Sequence, residues 1–315
     1  MAASALAAIP PVWITMAKIF STIFSVVYAL SLTLTPVRSR RAASGSSAPR
    51  WLADPRTNPS KHHAEVFILK YSAAWILSVG VVIASRAFEW WGPWGYMVYC
   101  VSCAAPYLLY PLARPLPGDA SAKRRDWYIL KANVWIAVFS FIGNYWYTHY
   151  FYSVLGAAYT MPAHRVNGVP WCMFFATHFY FCFYHVLSNC ALRFIATGYA
   201  PGPRRAALRA AAVLAMAYFT AFAETLTISG FPYYTFADRG RAYTVGSAFY
   251  GLYFVVSFPA FLLVDEAPAG AVGAQTHSLA RAAVEALAAA MAVLQLLDFV
   301  RLALGIPLVI RSAPG

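Results

Sequence analysis

The sequence contains little charge for its length. Lys, Arg, Asp and Glu make up 11% of its 315 residues, whereas these four types account for about a quarter of a typical soluble domain. Only 11 residues are acidic, 61% are hydrophobic, and the mean hydropathy is +0.57. So much apolar surface cannot stay hydrated, which excludes a disordered protein, a collagen and a nucleic-acid-binding domain. The expected environment is a lipid bilayer.

Motifs for metals, nucleotides and disulfides are also missing. No two histidines within the apolar stretches lie three or four residues apart, so the histidine boxes of membrane di-iron enzymes are absent. The chain has neither a Walker loop nor a dinucleotide glycine fingerprint. Its 5 cysteines lie in apolar stretches, which predicts reduced core thiols. We therefore expect no metal, no cofactor and no nucleic-acid partner.

The dominant feature of the chain is a series of long apolar stretches. Each can cross about 30 Å of hydrocarbon as a helix, and no alternating strand pattern occurs. We predict an all-α, polytopic transmembrane bundle of about seven spans, with a possible additional N-terminal helix. The predicted spans are residues 66–85, 93–113, 129–152, 171–192, 210–230, 243–264 and 282–304.

Basic residues are concentrated in alternate connections between these stretches. The segments before the first stretch, after the second and after the fourth are rich in Lys and Arg, while the connections between them hold few. Because basic connections stay in the cytosol, residues 50–65 are predicted to face that side. The net charge of +13 is then a topology signal and does not imply an acidic partner.

The N-terminal part of the chain differs from the rest. An apolar run from Ile9 to Leu34, interrupted by Lys18, precedes a segment rich in Ser, Ala and Arg. We interpret residues 1–50 as a targeting leader or a peripheral helix with a linker, and residues 51–315 as the membrane domain. An eighth span is the alternative interpretation of this apolar run.

Glu224 is an acidic residue inside a predicted span that contains no basic partner. An ionised side chain in the middle of a membrane helix costs about 2.5–3.5 kcal/mol or more. Apolar surroundings favour the neutral carboxylic acid, which can donate a proton. The alternative is a structural glutamic acid that forms hydrogen bonds between helices.

Three histidines, His149, His178 and His185, also lie within predicted spans. Each alone is compatible with a buried core histidine. However, His178 and His185 are seven residues apart and share one helix face, which Asn189 continues. A polar stripe of this kind is predicted to face the interior of the bundle. His62, His63 and His277 are predicted to be solvated, and His164, in a short loop, is predicted to be structural.

The alternation of the spans brings several polar groups to one end of the predicted bundle. Glu224, His149 and His178 fall in the same half of the membrane, within roughly 10 Å of its interface. Asn144 lies slightly deeper, and Asp238 would close this end from the following loop. We predict a pocket here with aromatic walls, formed by Tyr145, Trp146, Tyr147, Phe179, Phe181, Phe183, Tyr184, Tyr233 and Tyr234.

Five short sequence segments in this region, called strings below, are more specific than the composition of a membrane helix requires. Through them the chain resembles the cycloeucalenol cycloisomerase family of cyclopropyl sterol isomerases, and the likeness runs from about Trp51 to about Gly305. The strings begin at residues 143, 154, 174, 183 and 224 and read GNYWYTHYF, VLGAAYTMP, FFATH, FYHVLSN and ETLTISGFPYY.

The resemblance implies a reaction without a cofactor, in which the 9β,19-cyclopropane of a 4α-methyl sterol opens to a Δ8 sterol. A proton is added to the carbon that becomes the C19 methyl, positive charge forms at C9, and the hydrogen on C8 is lost. Such a site needs an acid, a base and walls that tolerate a carbocation. The implied surroundings are the lipid of the endoplasmic reticulum membrane, and the implied partner is the sterol.

This resemblance assigns expected roles to the polar residues. Glu224 is predicted to be the acid, and His178 or His185 the acceptor of the C8 proton. The other of these two histidines, or His149, would return a proton to Glu224. Asp238 is expected to be the acidic residue of the loop.

Aromatic and amide side chains complete the predicted site. Rings that face a carbocation contribute about 0.5–2 kcal/mol each. Either Asn144 or Asn189 would orient a histidine or the sterol hydroxyl. The rings predicted to face the cation are those of Tyr145, Trp146, Tyr147, Tyr233 and Tyr234.

Two other functions use a similar site. A membrane protein that binds or transports sterols would need the same cavity without proton chemistry. A sterol double-bond isomerase of another fold would use similar proton chemistry on a different substrate. Glu224 favours an enzyme over a binding protein, because an intramembrane acid is costly unless it has a function.

Overall fold

The computed structural model describes residues 10–34, 49–120, 122–228, 231–266 and 276–310. Its helices are α1 Pro11–Leu32, α2 Pro59–Ser85, α3 Pro93–Ala113, α4 Tyr128–Ile142, α5 Thr148–Leu155, α6 Trp171–Gly198, α7 Pro203–Ile228, α8 Arg239–Arg241, α9 Ser247–Leu262 and α10 Leu279–Ala303. Two π-helical segments, Gly143–Tyr147 and Ala242–Gly246, join α4 to α5 and α8 to α9. Short strands lie at Ala158–Tyr159 (β1), Arg165–Val166 (β2), Val169–Pro170 (β3) and Tyr234–Thr235 (β4).

The predicted all-α, polytopic membrane bundle is confirmed, since each of the seven predicted stretches is helical over most of its described residues. Within the described ranges, 6 helices are long and apolar enough to cross a membrane. Five of them coincide with predicted spans, and the other is α1. The predicted spans 129–152 and 171–192 are not among these six, because aromatic and polar residues lower the hydropathy of both segments. The chain is an integral membrane protein.

Helix α1 packs along α7 and the neighbouring π-helical segment. Met16 is buried against Phe222 and Tyr243, and the ring of Trp13 lies 5.3 Å from that of Tyr243. This packing favours the alternative in which residues 11–32 form an additional helix of the bundle. Residues 35–48 of the predicted linker lie outside the described residues, so the division of the chain at residue 50 stays a prediction.

A cluster of buried charges joins helix ends on one side of the bundle. Glu65 is 0% exposed and accepts hydrogen bonds from both terminal nitrogens of Arg193, at 2.8 and 3.0 Å. Arg193 also donates to both carboxylate oxygens of Glu266 at 2.8 Å. The ammonium group of Lys61 lies 2.7 Å from Glu266. Each buried charge therefore has an opposite charge in contact, as a low-dielectric interior requires.

Glu266 lies in the loop after α9 and stays ionised within this cluster. Burial alone would raise the pKa of Glu266, but hydrogen bonds from Arg193 and the positive charge of Lys61 outweigh it and lower the pKa to about 2. Because the folded pKa is below the ordinary value, the pairing stabilises the fold at neutral pH. This contribution is lost as the pH falls towards the folded pKa.

Asp265 connects the adjacent loop to the same end of the bundle. Its carboxylate accepts hydrogen bonds from Lys131 at 2.7 Å and from the backbone N–H of His277 at 2.5 Å. The ring of His277 accepts a hydrogen bond in return from the backbone N–H of Asp265 at 3.1 Å. His277 is 4% exposed, so the prediction that it is solvated is wrong. The pairing of two loop segments with each other buries its ring.

Neutralising Glu65 is expected to destabilise the bundle. Removing one partner of a buried ion pair costs about 3–5 kcal/mol, because the remaining charge is left uncompensated. Glu266 still contacts Arg193, so we expect Glu65→Gln to lower the free energy of unfolding by about 3 kcal/mol. Thermal unfolding in detergent micelles measures this loss. Glu89→Gln, which removes an exposed pair with Arg86, is the control, and equal shifts in the two variants would contradict the prediction.

Candidate functional site

A small cavity lies on the other side of the bundle from the charge cluster, among the π-helical segment that follows α4, α5, the start of α6, the end of α7 and the start of α9. Its volume is about 70 Å³. Pockets for drug-sized ligands measure about 300–1,000 Å³. The cavity is therefore too small to hold a ligand of that size completely. Its polar lining consists of Asn144, Thr148, Tyr159, Thr177, Glu224, Thr225, Tyr234, Tyr250 and Tyr253.

Both π-helical segments contribute to the wall of this cavity. Gly143 and Asn144 line it from one segment, and Ala242 and Gly246 line it from the other. A π-helical turn holds an extra residue, which shifts the following side chains around the helix axis, and such turns are frequent at functional sites. Both helices are predicted as uninterrupted from the sequence, because a hydropathy pattern carries no signal for an inserted residue.

Glu224 lines the cavity near the end of α7. The hydroxyl of Tyr250 donates a hydrogen bond to its Oε2 atom at 2.8 Å. The side chain of Tyr184, on α6, is a second neighbour of this carboxyl group. The polar partners of Glu224 in the described structure are thus neutral hydroxyl groups from two neighbouring helices. This arrangement gives the carboxyl group a hydrogen-bond partner without pairing it with a basic residue.

Two loop strands bring a pair of tyrosines over the same cavity. Strands β1 and β4 pair antiparallel, with Tyr159 opposite Tyr234. Their rings stack with centroids 4.3 Å apart and an interplanar angle of 17°. Both residues line the cavity. Tyr234 belongs to the predicted site and Tyr159 does not, because the contact joins loops that are far apart in the chain.

The structure brings four residues of the predicted pocket together in the cavity lining: Glu224, Asn144, Phe181 and Tyr234. The side-chain amide of Asn144 donates to the carbonyl of Ser140 at 2.9 Å. Its oxygen accepts from the hydroxyl of Thr177 at 3.4 Å. Asn144 is therefore fixed at the start of the π-helical segment with its oxygen towards α6.

The three predicted histidines lie outside the lining of the cavity. The Nε2 atom of His178 is 2.9 Å from the side-chain oxygen of Asn133. The two ring nitrogens of His185 lie 2.8 Å from the carbonyl of Phe181 and 2.9 Å from the hydroxyl of Ser257. His149 is 0% exposed and packs on the ring of Tyr152.

Helix geometry explains the placement of the α6 histidines. Thr177 and Phe181 are the α6 residues that reach the cavity together with Met173. His178 follows Thr177 by one residue and so points about 100° further around the helix. His185 is one turn beyond Phe181, which places it past the cavity along the helix axis. The polar stripe exists as predicted, but the rotation of α6 directs it at α4 and α9.

Two further predicted residues have other contacts. Asn189 donates to Glu65 at 3.4 Å and so belongs to the charge cluster. Asp238 is exposed and accepts a hydrogen bond from the backbone N–H of Arg241 at 3.0 Å, which caps the helix that begins at Arg239. Serine, threonine, asparagine and aspartate are favoured at this capping position. The geometry of Asp238 is thus that of a helix cap.

The remaining predicted aromatic residues surround the site without lining the cavity. Tyr147 is fully buried and donates to the carbonyl of Ala290 at 2.7 Å. Trp146 is 41% exposed on the outer side of the helix. The ring of Tyr145 stacks on Phe141. Tyr233 contacts other rings of the loop, those of Phe88 and Phe231.

Tyr250 and Tyr253 line the cavity but were absent from the predicted site. They follow Gly246, another lining residue, at spacings of four and seven. Residues at these spacings share one face of a helix. The spacing of Gly246, Tyr250 and Tyr253 therefore indicates from the sequence that these three residues share one helix face.

The chain is 44% identical over 266 residues to a protein of Arabidopsis thaliana named cycloeucalenol cycloisomerase. The alignment covers 83% of this chain and 92% of the relative. The chain belongs to the cycloeucalenol cycloisomerase family. It is an isomerase, and the family indicated by the five strings is confirmed. No family model and no solved structure matches the chain.

Gly156 is expected to be essential for the loop over the cavity of this isomerase. It ends α5 with a φ of +59°, and a Cβ atom at this position would lie 2.7 Å from the Cβ atom of Ala237. We expect Gly156→Ala to lower the free energy of unfolding by about 1–3 kcal/mol through backbone strain and this collision. Thermal unfolding measures the change.

Gly80→Ala is the matched control for this variant. Gly80 lies inside α2, and a Cβ atom there would have nothing within 4 Å. Alanine is the better helix former, so this control is expected to be neutral or slightly stabilising. If Gly156→Ala unfolds at the same temperature as Gly80→Ala, the loop does not need the left-handed conformation.

Proposed function

We propose that the chain is a cycloeucalenol cycloisomerase of sterol biosynthesis in the endoplasmic reticulum membrane. It opens the 9β,19-cyclopropane of a 4α-methyl sterol and releases a Δ8 sterol of the obtusifoliol type. The name of the Arabidopsis relative supports the substrate class. The structural observation that carries the proposal is the carboxyl group of Glu224 in a cavity where tyrosine hydroxyls are its partners.

Glu224 acts as the proton donor in this proposal. Its neutral carboxylic acid transfers a proton to C19, and the electron pair of the C9–C19 bond forms the new C–H bond. Positive charge then lies at C9. Loss of the proton on C8 supplies the electron pair of the C8–C9 double bond. One proton is gained and one is lost, so the reaction needs neither an oxidant nor a reductant.

The cavity favours this charge separation in two ways. The carboxylate that remains on Glu224 attracts the nearby carbocation, and this attraction is strong in a site that excludes water. Aromatic residues of the lining, Phe151, Phe181 and Tyr253, present rings to the same space. A ring face towards a cation contributes about 0.5–2 kcal/mol.

The Glu224 carboxylate is also the best-placed acceptor for the C8 proton. It is the strongest base among the groups that line the described cavity, while His178 and His185 lie outside the lining. Return of the C8 proton to the same carboxyl group restores the acid for the next turnover. His178 is the second candidate, because it lies one residue beyond the α6 residue Thr177, which lines the cavity.

Incubation of the purified protein with a cyclopropyl sterol in D₂O tests the proposed chemistry. We expect deuterium in the C19 methyl of a Δ8 product. Glu224→Gln keeps the size of the side chain but removes the transferable proton, and turnover should fall by about 10²–10⁴-fold. Glu89→Gln, which alters an exposed carboxylate, is the control. A Glu224→Gln variant with near-normal turnover would show that another group is the acid.

A second substrate separates the two candidate bases. With deuterium at C8 of the sterol, a carboxyl group that accepts this deuteron carries part of it to C19 of the next molecule. Acceptance by His178 would release the deuteron to water, and His178→Gln would abolish turnover. We expect transfer to C19 and an active His178→Gln variant.

A further inference from the structure

We propose that Tyr250 is a positioning residue for Glu224, whose hydroxyl holds the carboxyl group in the cavity and stabilises the carboxylate once the proton has left. The inference rests on the proposed role of Glu224 as the acid. It assigns a function to a tyrosine that the reaction described above does not use. Tyr250 acts on the substrate through Glu224.

The ring of Tyr250 is held firmly enough to position another group. It lies on α9, one turn beyond the π-helical segment Ala242–Gly246. Phe151 and Tyr253 pack edge-on against it, with centroids at 5.3 and 4.8 Å, and Phe254 packs at 5.2 Å. These contacts involve the ring alone. Loss of the hydroxyl would therefore leave the packing of the helices in place.

The hydrogen bond from Tyr250 strengthens during proton transfer. While Glu224 is a neutral acid, the phenol donates to a neutral oxygen. After the proton has moved to the sterol, the same hydroxyl donates to a carboxylate, and charge-assisted hydrogen bonds are roughly twice as strong as neutral ones. An interaction that is stronger in the transition state than in the ground state raises kcat. Tyr250 thus lowers the barrier of the protonation step.

The other titratable groups around Glu224 do not replace this contribution. They come from α6, β1, β4 and α9, and all of them are tyrosines, which are neutral near pH 7. Tyr184 contacts the same carboxyl group and can retain part of the effect when Tyr250 is changed. The groups concerned are Tyr159, Tyr180, Tyr184, Tyr234 and Tyr253.

Turnover of Tyr250→Phe across a range of pH tests the inference. With the full chain in detergent micelles and a cyclopropyl sterol as substrate, we expect kcat to fall by about 10- to 100-fold with KM unchanged. The alkaline limb of the pH–rate profile should move to higher pH, because the carboxylate form has lost a stabilising donor. Tyr71→Phe is the control, since Tyr71 donates to the carbonyl of Cys103 at 3.0 Å on the α2–α3 side of the bundle.

Two results would overturn the role of Tyr250. One is a Tyr250→Phe variant with the kcat and pH profile of the unchanged protein. The other is a loss of turnover without a shift of the alkaline limb, accompanied by a lower unfolding temperature, which indicates a structural role alone. Failure of the proposed function is recognised separately, because Glu224→Gln would then remain active whatever Tyr250→Phe does.

Discussion

A charge within hydrocarbon must be paired or neutralised, and this chain uses both solutions. At one end of the bundle Arg193 lies between Glu65 and Glu266, and each carboxylate receives two of its hydrogen bonds. At the other end Glu224 has the hydroxyl of Tyr250 as a partner. Thr177 of the cavity and Arg193 of the cluster are 16 residues apart on α6, which corresponds to about 24 Å. The bundle thus separates a fixed ionic structure from a carboxyl group that can change its charge.

Tyrosine is a better partner than a basic residue for a carboxyl group that is kept neutral. An arginine beside Glu224 would hold it as a carboxylate, and the proton needed for donation would be absent. A phenol hydroxyl satisfies the carboxyl group in both protonation states, and its ring adds an apolar surface that tolerates a cation. The stacked pair of Tyr159 and Tyr234 extends this surface over the cavity from the loops. The high aromatic content of the chain is therefore linked to its scarcity of charge.

The sequence predicted the helices and the position of Glu224 within one of them, because both depend on local composition. An apolar stretch of sufficient length forms a helix in lipid wherever its neighbours lie, and a lone acid in such a stretch is conspicuous. The histidines were harder to place. Spacing shows that His178 and His185 share a face, but the packing of α6 against its neighbours determines where that face points. The pairing of Tyr159 with Tyr234 also depends on long-range contacts, which no local pattern encodes.

The small volume of the cavity has a chemical consequence for the proposed reaction. A carbocation at C9 is captured by any water molecule that reaches it, so isomerisation requires a site that the sterol fills completely. In the proposed reaction, a cavity of about 70 Å³ that widens to fit the sterol leaves little space for water beside the substrate. Residues of both π-helical segments, Gly143–Tyr147 and Ala242–Gly246, line this cavity. Their hydrogen bonding already departs from the regular helical pattern, so these segments can adjust at a lower cost than an unbroken helix.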